Sequence, residues 1–173
     1  MTENSPKPIL VELSAELKDE FLEMAADHRA HGEDRYEHAL EDFDDYLAEL
    51  ERYRTGRDLP PSHVSSSAYF LLVAGKLVGS GNLRHELNEN LSVMGGHIGY
   101  AVRPSARRKG YGSLILALTL EKARARGLEK VFLTCDADNA ASAKIIEKHG
   151  GRLVDQLIYE PTGKLISQYW IEL

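Results

Sequence analysis

The chain has 173 residues, of which 43% are hydrophobic and 28% charged, and its formal net charge at pH 7 is −6. These values suit a single soluble domain with a complete core. No apolar run is long enough to span a bilayer. Residues 1–8 ("MTENSPKP") lack the apolar stretch of a secretory signal. The negative charge disfavours nucleic-acid binding, and the single cysteine, Cys135, excludes an internal disulfide and a multi-cysteine zinc site. We therefore expect a cytoplasmic protein without a nucleic-acid or membrane partner.

The N-terminal third predicts one strand followed by two helices. Residues 8–13 form a short apolar run typical of a strand, and Ser14 offers an N-cap for a helix that extends to about His28. Apolar residues three or four apart predict a second helix over residues 36–53, followed by a proline-containing loop at residues 58–62. The second helix is strongly acidic, which indicates a solvated helix face or, alternatively, an acidic wall that attracts cationic substrates.

The rest of the chain alternates strands and helices. Two apolar runs around Ala74-Gly75-Lys76 form a hairpin pattern, and a polar loop then leads to an apolar segment stopped by Pro104. The remaining elements, in order, are a helix from about Gly110 to Arg126 closed by Gly127, a strand over residues 130–136, a helix from near Asn139 to Gly150, and two strands around residues 161–163. This order predicts one α/β domain over residues 1–173, with a mixed sheet of six to seven strands and about four helices.

The segment "RRKGYG", residues 107–112, combines three cations with two glycines at the junction between a predicted strand and a predicted helix. The first turn of a helix has backbone N–H groups without internal partners and carries the positive end of the helix dipole. Because Gly110 and Gly112 lack a Cβ atom, a ligand can approach the backbone closely there. The segment therefore predicts a site for an anion, best suited to phosphate or pyrophosphate.

Three kinds of phosphate loop compete for this segment. The Walker pattern G-x-x-x-x-G-K-[ST] is absent. A dinucleotide-binding fingerprint needs a third small residue, where the chain has Ile115, and a tight turn in place of the long connection before Arg107. The third pattern, Q/R-x-x-G-x-G/A at the start of a helix, is matched in full by Arg107, Gly110 and Gly112.

Residues 98–150 resemble the GNAT superfamily of acyl-CoA-dependent N-acetyltransferases. The segment "GYAVRPSARRKGYGSLILALTLEKARARG" is similar to the central strand, pyrophosphate loop and helix of that family, and "KVFLTCDADNAASAKIIEKHGG" is similar to the strand and helix that follow. Asn139 stands where the family commonly has a cofactor-contacting asparagine, and the predicted order of elements is also that of the family. The closing Gly150-Gly151 replaces the more usual Gly-Phe.

The resemblance implies acetyl-CoA as cosubstrate and a GNAT-like domain in which the central strand splays from the next strand to admit the pantetheine arm. The residues implied for the pyrophosphate are Arg107, Arg108, Lys109, Gly110, Tyr111, Gly112 and Ser113, with backbone amides doing the holding and Arg107 shaping the loop or meeting a phosphate. Those implied for the pantetheine and thioester are Tyr100, Ala101 and Val102 through their main chains, together with Asn139 and Ser142.

Acetyl transfer from a thioester to an amine needs positioning, a donor for the developing oxyanion, and a base and an acid for protons. The family often has a tyrosine acid seven residues after the asparagine, where this chain has Ile146. Tyr159 and Tyr169 are alternatives, each also expected as a packed sheet residue. For the base, His97 stands near the place where the family often has a glutamate, and its unperturbed pKa suits neutral pH, although a structural histidine fits equally.

A second polar cluster, "LRHELNEN", lies just upstream of His97. His85 and Asn88 are candidate site residues because polar groups at strand ends commonly line sites, while Glu86 and Glu89 fit a satisfied turn better. His85 and His97 lack a third ligand nearby, so we expect no metal. Cys135 ends a predicted strand and fits a core residue better than a nucleophile.

The sequence thus favours an acetyl-CoA-dependent N-acetyltransferase acting on a primary amine of a small molecule or peptide by direct attack in a ternary complex. The alternatives are an acyl-CoA-binding module of the same fold without catalysis, and a dinucleotide-binding enzyme. The acidic second helix hints at a cationic acceptor, and the last segment, "KLISQYWIEL", is a candidate for strand pairing across a homodimer.

Overall fold

Seven strands and five α-helices make up the computed structural model, which describes residues 7–173. Residues 1–6, which form most of the segment inspected for a signal peptide, lie outside the described residues. The strands are β1 (Ile9–Val11), β2 (Ser66–Val73), β3 (Lys76–Arg84), β4 (Ile98–Val102), β5 (Lys130–Asp136), β6 (Arg152–Tyr159) and β7 (Lys164–Glu172). The helices are α1 (Lys18–Ala30), α2 (Glu37–Glu41), α3 (Phe43–Thr55), α4 (Tyr111–Ala125) and α5 (Ala140–Lys148), with 3₁₀ turns at Ala15–Leu17 and Pro104–Ala106.

The strands form two sheets whose facing edges are β4 and β5. The first sheet has the order β1-β2-β3-β4 and the second β5-β7-β6, and every ladder within them is antiparallel. β4 and β5 are neighbours at their first residues and both run towards α5, so they are parallel. Among the described strands, this pair alone provides the parallel part of the predicted mixed sheet. The predicted α/β fold with splayed central strands is confirmed.

His97 joins the two sheets at the start of β4. Its backbone N–H donates to the Phe132 carbonyl at 2.7 Å, and its ring Nδ1 accepts from the Phe132 N–H at 2.9 Å. Between residues 7 and 173, no ladder links β4 to β5 beyond this joint. The sheets are therefore hinged at one end and open at the other.

Glycines in β3 allow α4 to lie close against the first sheet. A Cβ atom at Gly79 would sit 2.7 Å from the Ile115 Cδ1 atom, and one at Gly81 would sit 2.5 Å from the Thr119 Oγ1 atom. Both Ile115 and Thr119 are fully buried. Ile115, which is too large for the third small position of a dinucleotide-binding fingerprint, therefore packs into the space left by Gly79 and Gly81 of β3.

The first three helices cover the opposite face of this sheet. Phe21 lies at the centre of their core, with ring centroids 5.2 Å from Tyr36 and 5.3 Å from Phe70. None of the helices between residues 7 and 173 has the length and apolar character needed to cross a membrane.

Two local predictions for the helices were wrong. The expected single helix over residues 36–53 is broken at Asp42, whose φ of −146° is extended and whose carboxylate accepts the Asp45 N–H as the N-cap of α3. Because of this break, residues 7–173 contain five α-helices where about four were expected. Ser14 makes no side-chain capping bond, since a 3₁₀ turn precedes α1.

The expectation that the last strand pairs across a dimer was also wrong in its choice of strand. β7 lies between β5 and β6, so both of its edges are already hydrogen-bonded within the chain. In the second sheet, the outer edge that faces away from β4 and can pair with a strand of another copy is β6. The predicted homodimer itself stays a prediction.

Gly96 fixes how closely the two sheets meet at their hinge, and its substitution tests that contact. Its φ is +64°, and an added Cβ atom would lie 2.2 Å from the Phe132 carbonyl oxygen. We expect Gly96→Ala to lower the free energy of unfolding by about 2–4 kcal/mol, because it adds a clash to backbone strain. Gly127→Ala is the matched control, since Gly127 has a φ of +84° and open space around it, and strain alone costs about 1–2 kcal/mol. Equal losses in urea unfolding would contradict a tight hinge.

Candidate functional site

The loop before α4 presents a row of free backbone N–H groups. Arg108 and Gly110 have left-handed φ angles of 61° and 82°, and Gly110 is the N-cap of α4 without any side-chain capping bond. Among residues 7–173, none accepts a hydrogen bond from the N–H groups of residues 108–113. A Cβ atom added at Gly110 would meet nothing within 4 Å, so the space in front of the loop is open. This geometry is that of an anion cradle at a helix N-terminus.

The three cations of the loop have different surroundings. The Arg107 guanidinium donates from Nε to the Val102 carbonyl at 3.1 Å and from Nη2 to the Glu33 carboxylate at 2.5 Å. These bonds favour the loop-shaping role among the two predicted for Arg107, and both roles stay predictions. Arg108 and Lys109 are exposed and form no ion pair with any residue that the structure describes, so they surround the cradle as a screened positive rim.

The end of α1 braces the loop from the other side. The Asp27 carboxylate accepts from the Ser105 N–H at 3.1 Å, the Ser105 hydroxyl at 2.6 Å and the Arg103 Nε at 3.1 Å. Burial by itself would raise the pKa of Asp27, but these hydrogen bonds and the Arg103 charge lower it to about 2. Glu33 is held in turn by the buried His28, whose Nδ1 lies 2.8 Å from the carboxylate. No local pattern of residues indicates this brace, because it joins residues far apart in the chain.

The opening between β4 and β5 is lined by unpaired main-chain groups. The bonds from Arg84 N–H to His97 O and from Arg103 N–H to Val78 O fix which residues of β4 face β3. Because alternate residues of an antiparallel strand turn to the same neighbour, the N–H groups of Tyr100 and Val102 face the opening. Of the three residues predicted to pair with pantetheine, Ala101 points its main chain to β3 instead, since it lies opposite Ser80.

Tyr100 crosses the opening to α5. Its hydroxyl lies 2.9 Å from the Ser142 hydroxyl, in the first turn of α5, and its ring lies 3.8 Å from the position of a Cβ atom on Gly112. Burial raises the pKa of Tyr100, so the phenol is protonated at neutral pH. Asn139 caps α5 by accepting the Ser142 N–H at 3.0 Å, and its exposed side chain borders the same opening. The structure thus brings Tyr100, Ser142, Asn139 and the loop together, as predicted for a cofactor cleft.

Ser113 and Cys135 belong to the inner wall of the cleft. The Ser113 hydroxyl is bonded to His149 Nε2 at 2.9 Å, which ties the first turn of α4 to the end of α5 and leaves the Ser113 N–H as its free group. Cys135 is buried, and burial raises the pKa of its thiol. A protonated thiol is a poor nucleophile, which agrees with the predicted core role.

The candidate catalytic residues do not converge. His97 is buried at the hinge; with Nδ1 accepting the Phe132 N–H, the ring carries its proton on Nε2, and burial lowers its pKa. His85 is bonded by the hydroxyls of Ser67 and Ser65 at 2.9 and 3.0 Å, a structural arrangement on a different pair of strands. Asn88 holds its loop by donating to Ser62 O and accepting from Leu91 N–H. The catalytic roles of all three stay predictions, and the geometry favours a structural role for His97 and His85.

The two tyrosines considered as alternative acids differ in position. Tyr169 is buried in the main core, as is Ile146 at the position of the family tyrosine. Tyr159 precedes the turn between β6 and β7 and is half-buried. The family position on α5 could not indicate Tyr100, because this residue lies on β4 and its hydroxyl meets α5 only in the folded chain.

A family profile described as "Acetyltransferase (GNAT) family" matches residues 18–151. Among solved structures, RimL, a ribosomal L7/L12 alpha-N-protein acetyltransferase in complex with coenzyme A, is 14% identical with a TM-score of 0.72, over 99% of this chain and 96% of that one. RimJ of Mycobacterium smegmatis in complex with CoA-disulfide is 15% identical with a TM-score of 0.73, over 95% and 81%. The structure of yncA of Salmonella typhimurium with its cofactor acetyl-CoA is 16% identical with a TM-score of 0.65, over 97% and 95%. No curated protein matched the sequence.

The chain belongs to the acetyltransferase (GNAT) family, since the profile spans most of its length. The resemblance and the enzyme class predicted from the loop and from Asn139 are thereby confirmed. The solved structures, at these low identities, show the same fold.

Ser105 offers a test of the brace that holds the loop. We expect Ser105→Ala to raise the pKa of Asp27 and to lower the free energy of unfolding at pH 7 by about 1 kcal/mol, because one hydrogen bond to a carboxylate is lost. A carboxyl whose folded pKa is about 2 contributes stability above its unfolded pKa of about 4 and loses it as the pH falls towards 2. The difference between the two proteins, measured by urea unfolding from pH 7 to pH 3, should therefore shrink on acidification. A constant difference would show that Asp27 is not the partner that matters.

Proposed function

We propose that this acetyltransferase moves the acetyl group of acetyl-CoA to a primary amine of a small molecule or peptide by direct attack in a ternary complex. Acetyl transfer from acetyl-CoA is the reaction of the family to which the chain belongs. The proposal concerns the direct attack, the residues that serve it and the kind of acceptor. The observation that carries it is the row of free N–H groups at residues 108–113, placed beside an opening lined by free main-chain groups of β4.

The residues of the loop fit a pyrophosphate. The N–H groups of residues 108–113 would bind the phosphate oxygens, while Arg108 and Lys109 add long-range attraction that salt screens. The N–H group of Val102 would pair with a pantetheine amide, and the Asn139 side chain would contact the same arm. The bound cosubstrate supplies a thioester, whose carbonyl is open to attack by a neutral amine.

The protons are assigned to Tyr100 and to water. The Tyr100 phenol, kept protonated by burial and bonded to Ser142, lies at the α5 side of the opening, where the leaving thiolate would form. It would donate the proton that a tyrosine on α5 supplies in many family members. The Tyr100 N–H, which faces the opening, would bind the developing oxyanion. His97 would hold the hinge and take no proton, because its Nδ1 is already used.

The acceptor and the cellular setting are also proposals. RimL is an acetyltransferase of a protein, ribosomal L7/L12. Membership of the same family is compatible with either a peptide or a small amine as the acceptor of this chain. A cytoplasmic location is proposed from the composition and the nature of the cosubstrate. No observation favours the alternative of a binding module without catalysis.

The overall experiment combines binding and turnover. Isothermal calorimetry with acetyl-CoA, NAD and ATP should show tight binding of acetyl-CoA alone, and a panel of amines should release free thiol when an acceptor is found. Binding of NAD in place of acetyl-CoA would refute the proposed function. Tight binding of acetyl-CoA without turnover of any amine would instead support the binding module.

Gly112 provides the test of the cradle. Gly112→Asp should weaken acetyl-CoA binding more than a hundredfold, because it sets a negative charge against the pyrophosphate. Gly112→Ala is the control for bulk, since any Cβ atom here lies 3.1 Å from the Ile145 Cδ1 atom. Removing the rim with Arg108→Ala and Lys109→Ala together should cost less than tenfold in 0.15 M salt. Calorimetry measures the Kd for acetyl-CoA in all three variants. A larger loss of affinity in the Arg108 and Lys109 double variant than in Gly112→Asp would show that the cations, and not the backbone N–H groups, bind the pyrophosphate.

Tyr100 and His97 together test the proton assignments. Tyr100→Phe should lower kcat by roughly tenfold to a hundredfold while the Kd for acetyl-CoA stays within about threefold, because only the proton donor is lost. His97→Asn keeps an acceptor for the Phe132 N–H and should leave kcat within about threefold, as expected of a structural residue. Steady-state rates measured across pH distinguish a lost proton donor in Tyr100→Phe from an unchanged reaction in His97→Asn. A large loss in His97→Asn with normal melting would restore His97 as the base.

A further inference from the structure

A second cavity lies on the face of the first sheet opposite Tyr100. It is bounded by Arg35 and Tyr36 just before α2, by α3 and by the strands β2 and β3, and its volume is about 520 Å³. Ser80, Asn82 and Arg84, alternate residues of β3, line its floor. Asn82 lies opposite Gly99 of β4, where an added Cβ atom would meet nothing within 4 Å. Asn82 thus places the floor of the cavity next to Gly99 of β4, on the face of the sheet opposite the Tyr100 side chain.

The charges in this cavity are unevenly compensated. Its arginines, Arg35 and Arg84, form no ion pair with any carboxylate in the described part of the chain. Its carboxylate, Glu49, is already bonded to His38 Nδ1 at 3.0 Å. The acidic residues Asp44 and Asp45 of the same helix are outside it, with side-chain exposures of 83% and 55%. The acidic helix thus presents a solvated face, and the cavity presents uncompensated positive charge.

Arg84 is held in place while keeping donors free. Its Nη1 donates to the carbonyls of Gly95 and Gly96 at 3.2 and 2.9 Å, and no further hydrogen bond engages its Nε or Nη2 among residues 7–173. Burial lowers the pKa of Arg84, which reflects the cost of a guanidinium removed from water without a counter-charge. An arginine presented in this way binds a carboxylate through two parallel hydrogen bonds and recovers that cost.

The distance to the reacting centre suits one small molecule. Arg84 lies two residues beyond Asn82 on β3, or roughly 7 Å at 3.4 Å per residue, and Asn82 faces Gly99. A carboxylate on Arg84 leaves the amine of an amino acid or dipeptide near the β4 edge. A long polyamine would instead place its second cation against Arg84 and Arg35, where like charges repel.

We propose that the acceptor is a small amine that also carries a carboxylate, with the carboxylate bound by Arg84 and the amine directed to Gly99. This proposal rests on the proposed function and names the substrate class of that site. The amine nitrogen forms the new C–N bond to the acetyl carbonyl carbon and loses one proton to water. The C–S bond breaks, and its electron pair leaves on the thiolate, which takes a proton from Tyr100; water then reprotonates the phenol.

The experiment compares matched acceptors on matched proteins. Amino acids and acidic dipeptides are tested against their own carboxamides and against a diamine, by the release of free thiol from acetyl-CoA. We expect kcat/KM for the carboxylates to exceed that for the carboxamides by at least tenfold. In Arg84→Gln this ratio should fall below threefold, and Arg57→Gln, an exposed arginine outside the cavity, should leave it unchanged.

Folding and binding are checked separately. Arg84→Lys keeps the charge and loses the paired donors, so it should retain part of the preference, and melting curves show whether either variant unfolds. If both Arg84 variants unfold, Arg35→Gln, which alters an exposed residue, should still reduce the preference for carboxylates. Equal rates for carboxylates and carboxamides, or turnover of the diamine alone, would overturn the proposal while leaving acetyl transfer intact. Failure to bind acetyl-CoA would instead refute the proposed function.

Discussion

The divergence of β4 from β5 is the constraint on which the rest of the structure depends. Two neighbouring strands that separate leave main-chain groups unpaired, and such groups are costly unless water or a ligand satisfies them. Hydrogen bonds between His97 and Phe132 join the two sheets at one end, so the unpaired main-chain groups are confined to the opening beyond them. The opening is therefore a fixed shape, which is what a positioned acyl donor requires.

The loop before α4 depends on a second device, the brace from α1. A loop that holds an anion with backbone N–H groups must keep unusual φ angles at Arg108 and Gly110 without help from a ligand. Asp27 fixes the entry of the loop through Ser105, and Glu33 fixes its middle through Arg107. Helices on opposite faces of the sheet thus cooperate: α4 supplies the free N–H groups, and α1 keeps them in place.

Much of this could be read from local patterns. The hairpin at Ala74 and Gly75, which have φ angles of 47° and 82°, and the loop at Gly110 follow from the chemistry of glycine and of turns. The break at Asp42 was missed because the apolar spacing continues through it, while a capping side chain overrides the spacing. The hinge position of His97 and the roles proposed for Tyr100 and Arg84 were not predictable from local patterns. They depend on contacts with other elements: Phe132 of β5, Ser142 of α5, and the Gly95 and Gly96 carbonyls before β4. For His97 the residue type suited a base, and only the bond to Phe132 shows that its acceptor nitrogen is occupied.

The strand order of the second sheet has a consequence for how the protein is made. β5 pairs with β7, from Lys130 with Glu172 to Asp136 with Ile166, and β6 can join only through β7. During synthesis, β5 therefore has no ladder partner until residues 164–172 have been translated. Newly made chains pass through an interval in which the loop can form before its opposite wall exists. The second sheet, and with it the far wall of the cleft, is complete only once β7 has joined β5.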